Sequence, residues 1–131
     1  VHNGIIENSD ALKKVLELKG AKFKSQTDTE VITLMLTEEI KKETPIIAVQ
    51  NTLKKLKGSF ALGIIVKNFK DVIIGARRGS PLAVGYAKDE NYLGSDSYAL
   101  KSMTNKISYL DDGELCVLTT DSIELYYHND Q

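Results

Sequence analysis

Between Ser9 and Leu18 the apolar residues Ala11, Leu12, Val15 and Leu16 recur at a spacing that gathers them on one face of a helix. Asn8 or Ser9 can cap this helix and Gly20 can stop it. The stretch TDTEVITLMLTEEIKK opens with Thr27 and, three positions later, Glu30, which is the spacing of a capping box. Val31, Leu34, Met35 and Ile40 then mark one face of a second helix. Pro45 suits the first turn of a third, PIIAVQNTLKKL, with Ile46, Val49, Leu53 and Leu56 as its stripe and Gly58 as its end. After Gly58 the period shortens to two, or to brief continuous apolar runs: SFALGIIV, DVIIGAR, PLAVGYA, NYLGS, KISYL, ELCVLTT and SIELYY. Asn68, Gly79-Ser80-Pro81, Asp89-Glu90-Asn91, Asp111-Asp112-Gly113 and Asp121 separate these runs as turns. DSYALKSM reads as a short helix between strands, capped by Ser95 or Asp96. Helices first and antiparallel strands afterwards predict an α+β layered domain.

The pair Asn3-Gly4, in VHNGII, has two readings. Asn-Gly between apolar residues is the signal for a type I′ hairpin turn, because both central positions need positive φ. An Asn amide beside a Gly N–H is also a pair of donors for a developing oxyanion, since glycine lets a reacting carbonyl come close. Only Val1 and His2 precede the pair, so the first strand of such a hairpin is missing. The chain starts with Val rather than Met, in what reads as the end of a strand, and a natural N-terminal part is expected upstream.

At 131 residues a single domain with its own core is expected. Lys and Arg number 17 against 18 Asp and Glu, a net charge of −1, so no global field draws the chain to nucleic acid or to an anionic membrane. Neither is an expected partner. The lysines at 13–14, 41–42 and 54–57 fall on polar helix faces, and GARRGS lacks the Lys-Ser/Thr of a phosphate-binding loop. Apolar runs are too short to span a bilayer. One cysteine, Cys116, and no Asn-x-Ser/Thr site favour a reducing, cytoplasmic setting. Cys116 lies in an apolar strand run and reads as a core residue, and His2 and His128 stand at opposite ends of the chain, so no metal site is expected. Asp28 admits two roles. In the first turn of a helix it complements the dipole, and at the mouth of a cleft it would pair with an ammonium group.

HNGIIEN, TDTEVI, ARRGSPLAVG, SDSYAL and YLDDGELCVLT occur together and in this order. The combination resembles the glutaminase domain of the class II glutamine amidotransferases over essentially the whole chain. The resemblance implies a four-layered αββα fold of the N-terminal-nucleophile hydrolase type, of which residues 1–131 would be the C-terminal portion. It implies an N-terminal cysteine that attacks the side-chain amide of glutamine, with Asn3 and Gly4 as the oxyanion hole and Asp28 as acceptor for the α-ammonium. On this reading the turn at Asn3-Gly4 and its role as donor pair both hold. The nucleophile, the arginine that grips the glutamine carboxylate and a His-Thr-Arg-Trp segment are expected upstream of Val1, so the chain alone is expected to be inactive. Fructose-6-phosphate would be bound by an isomerase domain outside this chain. No cofactor is implied, and a homo-oligomer is expected. A non-catalytic module that keeps the fold to bind glutamine or a protein, and the glutaminase domain of another class II amidotransferase, are the alternatives.

Overall fold

The period change at Gly58 divides the molecule as well as the sequence. The computed structural model describes residues 1–127, so His128 lies outside the described residues. These residues form two units, one of residues 5–58 and one of residues 1–4 with the chain from Ser59 onward.

The first unit is helical. It holds α1 (Ser9–Leu18), α2 (Asp28–Ile40) and α3 (Pro45–Lys55), close to the bounds expected from spacing and caps. Thr27 caps α2 by accepting the Glu30 N–H, and Pro45 begins α3. The α3 helix ends at Lys55, and Gly58 opens the next strand instead of closing the helix. The stripe of α2 differs from the one predicted. Val31, Ile32, Met35 and Leu36 are buried, while Leu34 and Ile40 are half-buried. The reason is that α2 packs against both α1 and α3, so its apolar surface must serve two neighbours and one narrow stripe is not enough. Leu16, Ala48, Val49 and Leu53 complete this core.

The second unit is built of strands. A five-stranded sheet runs in the order β1 (His2–Ile6), β2 (Gly58–Ile64), β3 (Ile73–Arg78), β7 (Glu114–Leu118), β8 (Ile123–Tyr127). A three-stranded sheet runs β5 (Glu90–Gly94), β4 (Ala83–Ala87), β6 (Lys106–Tyr109). Every strand run read from the sequence forms, and β2–β3, β3–β7, β7–β8, β4–β5 and β4–β6 pair antiparallel. The two sheets share one core, in which Ala61, Cys116 and Leu118 of the larger meet Val84 and Leu93 of the smaller, with Leu82 and Leu110 beside them. Gly75 lies opposite Cys116 in the β3–β7 register. A Cβ at Gly75 would stand 2.8 Å from the Cys116 sulfur and 3.0 Å from Leu93, so the missing side chain is what lets the sheets close here. The short helix α4 (Ser97–Leu100) is capped by Asp96, which accepts the Ala99 N–H at 3.0 Å.

One expectation is overturned. Asn3 and Gly4 lie inside β1 and form no hairpin turn. A type I′ turn needs positive φ at both residues, and of the two only Gly4 has it, at +107°. A Cβ on Gly4 would run into the carbonyl of Ser59, so this glycine serves the close passage of two backbones.

Candidate active site

Asn3 and Gly4 are exposed on β1. Asn3 lines a hollow of about 230 Å³ in the strand unit, bounded also by Ala61, Leu62 and Gly63 of β2, by Leu82 and Leu93, and by Gly94 and Ser95.

Asp28 belongs to the helical unit, where it is half-buried as the first residue of α2. Its Oδ2 accepts the backbone N–H of Ile6 at 2.9 Å. Asp28 therefore does more than complement a helix dipole, since it joins the start of α2 to the end of β1 across 22 residues of chain. The turn before it is shaped by Glu30. That carboxylate accepts the Lys24 N–H at 2.8 Å, the Ser25 N–H at 2.7 Å and the Ser25 hydroxyl at 2.6 Å. The Ser25 hydroxyl and the Lys24 N–H, the largest influences, hold the Glu30 carboxyl below its usual range. Only half of the expected capping box forms, because Glu30 reaches past the Thr27 N–H to the residues before it. The Thr27 N–H instead meets the Ser25 oxygen at 3.3 Å.

A family model described as "Glutamine amidotransferase domain" matches residues 1–102. The chain belongs to this glutamine amidotransferase family. It is 53% identical over 127 residues to a glutamine–fructose-6-phosphate aminotransferase (isomerizing) of Zymomonas mobilis, covering 96% of this chain and 21% of that protein. To the enzyme of the same name from Brucella abortus it is 46% identical over 132 residues, covering 100% of this chain and 22% of that protein. The chain thus spans about a fifth of the length of these relatives. Among solved structures it is similar to a glutamine phosphoribosylpyrophosphate amidotransferase from B. subtilis complexed with ADP and GMP. That likeness has 25% identity and a TM-score of 0.81, and covers 100% of this chain and 29% of the other. The α+β fold of the N-terminal-nucleophile amidotransferase type expected from the motifs is borne out.

Within the family motifs the structure also assigns work that the sequence reading missed. Asn8, the last residue of HNGIIEN, makes no cap for α1 with its side chain. Its amide donates to the Lys55 carbonyl at 2.8 Å and accepts the Lys57 N–H at 2.9 Å, pairing like a short piece of strand with the segment that leads into β2. The sequence offered Asn8 only as a helix cap, and nothing local could name partners 47 and 49 residues away. In ARRGSP the Arg77 guanidinium donates to the carbonyls of Ser80 at 2.9 Å, Leu110 at 3.0 Å and Gly79 at 3.2 Å, while Asp112 accepts the Gly79 N–H at 2.7 Å. Arg78 lies 4.8 Å over the Phe60 ring. Both arginines thus have work inside the protein. Cys116 is fully buried, as expected of a core residue, and burial pushes its thiol up to about 11. Among the described residues no group of three His, Cys, Asp or Glu side chains is placed to hold a metal ion, and no helix is long and apolar enough to cross a membrane.

Proposed function

We propose that residues 1–131 are the C-terminal portion of one glutaminase domain in a glutamine–fructose-6-phosphate aminotransferase, where Asn3 and Gly4 supply the oxyanion hole and Asp28 holds the glutamine α-ammonium. The observation that carries this reading is the 53% identity to a relative of that name over 96% of the chain. The reaction of the whole enzyme would release ammonia from the glutamine amide and pass it to fructose-6-phosphate in a separate domain.

The chemistry asked of each residue suits its setting. As a nucleophile adds to the amide carbon, negative charge grows on the carbonyl oxygen, and the Asn3 side-chain N–H and the Gly4 backbone N–H stabilise it more than they stabilise the planar amide. The Ile6 N–H, held at 2.9 Å, orients the Asp28 carboxylate, and a carboxylate is the side chain that pairs with an ammonium group. The reading further takes the enzyme to be a cytoplasmic homo-oligomer that needs no cofactor for this step. The single buried cysteine supports a reducing compartment.

The test uses the full-length enzyme and follows glutamate and ammonia release. Asn3→Ala is expected to lower kcat by about a hundredfold or more with little change in KM, which is the usual effect of removing one oxyanion donor. Unchanged kcat in a folded Asn3→Ala protein would overturn the assignment of Asn3. Asp28→Asn is expected to raise KM for glutamine and to weaken discrimination against amides that lack the α-amine. Lower thermal stability with an unchanged KM would reduce Asp28 to a helix-start residue.

A further inference from the structure

We infer that Glu30 is a positioning residue of the glutamine site, one that shapes the turn from Lys24 to Thr27 so that Asp28 meets the substrate ammonium. The inference rests on the reading of Asp28 given above.

Three donors from two consecutive residues converge on this one carboxylate, at 2.6, 2.7 and 2.8 Å. An ordinary capping-box glutamate satisfies the N-cap N–H and steadies only the helix. Glu30 reaches two and three residues further back, and its grip passes forward again through Ser25. The Ser25 hydroxyl donates to Glu30 and lies 3.0 Å from the Thr27 hydroxyl, while the same oxygen takes the Thr27 N–H at 3.3 Å. Thr27 in turn accepts the Glu30 N–H at 3.4 Å, which closes a ring whose next residue in the chain is Asp28. The Ile6 N–H also anchors Asp28. The turn that Glu30 holds is thus one of the restraints on where this carboxylate sits. Ion pairing is a minor part of the arrangement, because Lys13 acts on Glu30 less than any of the hydrogen bonds do. Charge-assisted bonds to a carboxylate are short and directional, and a single neutral amide cannot accept all three.

The experiment compares Glu30→Gln, Ser25→Ala and Asp28→Asn in the full-length enzyme. It measures kcat and KM for glutamine and the preference for glutamine over 5-amino-5-oxopentanoate, which is glutamine without its α-amine. Glu30→Gln is expected to raise KM for glutamine by about tenfold, the worth of one charge-assisted hydrogen bond, with kcat within about twofold. The preference for glutamine should fall by the same factor. Ser25→Ala should act in the same direction more weakly, and it carries the test alone if Glu30→Gln does not fold. Adding Glu30→Gln to Asp28→Asn should change KM no further, because Glu30 acts through Asp28. If Asp28→Asn collapses the preference while folded Glu30→Gln and Ser25→Ala leave it intact, Glu30 only stabilises the helix start and the inference fails. If Asp28→Asn itself leaves the preference unchanged, the reading of Asp28 fails first and takes this inference with it.

Discussion

Cys116 and Glu30 show how differently two ionisable side chains are treated in the same protein. Burial between the sheets pushes the Cys116 thiol to about 11. In the unfolded chain the thiol ionises near its ordinary value of 9, so raising the pH stabilises the unfolded state first. The contribution of Cys116 is fully present below pH 9 and is lost as the pH climbs toward 11. Replacing Cys116 with Ala should flatten that part of a stability-against-pH curve from urea titrations. A thiol reagent at pH 8 should leave the native protein unlabelled and label one thiol after unfolding, and rapid native labelling would contradict the buried placement. Glu30 has the opposite sign. Its folded carboxyl is held low by Ser25 and Lys24, so its contribution is present above the ordinary carboxylate range and is lost on acidification. Cys116 was legible as a core residue because a lone cysteine in an apolar strand run has few other uses. The partners of Glu30 were not, since the spacing of a capping box names a different donor.

At the scale of elements, period and caps place helices and strands, but they say little about what each face meets. The strand run DVIIGAR shows Gly75 without showing why it stands there. The answer is the 2.8 Å approach that an added Cβ would make to the Cys116 sulfur on the paired strand. Gly75→Ala is expected to cost about 1–3 kcal/mol in chemical denaturation, the usual cost of overpacking a tight core. Combining it with Cys116→Ala should give less than the sum of the two single losses, because the second change removes the atom that the first one strikes. Simple additivity would show that the strain lies elsewhere, at Leu93 or Leu82. The α2 stripe makes the same point. Leu34 and Ile40 fit a single helical face, yet burial goes to Ile32 and Leu36 because two helices pack against α2. Periodicity reports that a face is apolar and leaves open how many neighbours share it.

For the molecule as a whole, the larger sheet ends on β8, and no further strand pairs with it among the described residues. Leu125 on that strand is 52% exposed. Open strand edges with apolar side chains invite pairing between molecules. The 131-residue polypeptide is therefore expected to grow in hydrodynamic radius with concentration, and Leu125→Lys should reduce the growth. A concentration-independent monomer in light scattering would show that this edge is not adhesive.

The kind and order of the elements and the caps at Thr27 and Asp96 were decided by residues close together in the chain, and the family by short motifs standing in a fixed order along it. A period of 3.6 or 2 and a capping hydroxyl act over a few residues, so one sequence suffices to read them. Only the tertiary structure put Asn3 and Gly4 inside a strand, where positive φ at Gly4 serves the passage of Ser59 and makes no turn. Folding alone set β3 beside β7, joined Asp28 to Ile6, and gave Asn8 the backbone of Lys55 and Lys57. Each of these pairs groups far apart in the chain. A buried or half-buried polar group must find a partner, and which one it finds depends on what packing brings within about 3 Å, which no local pattern encodes.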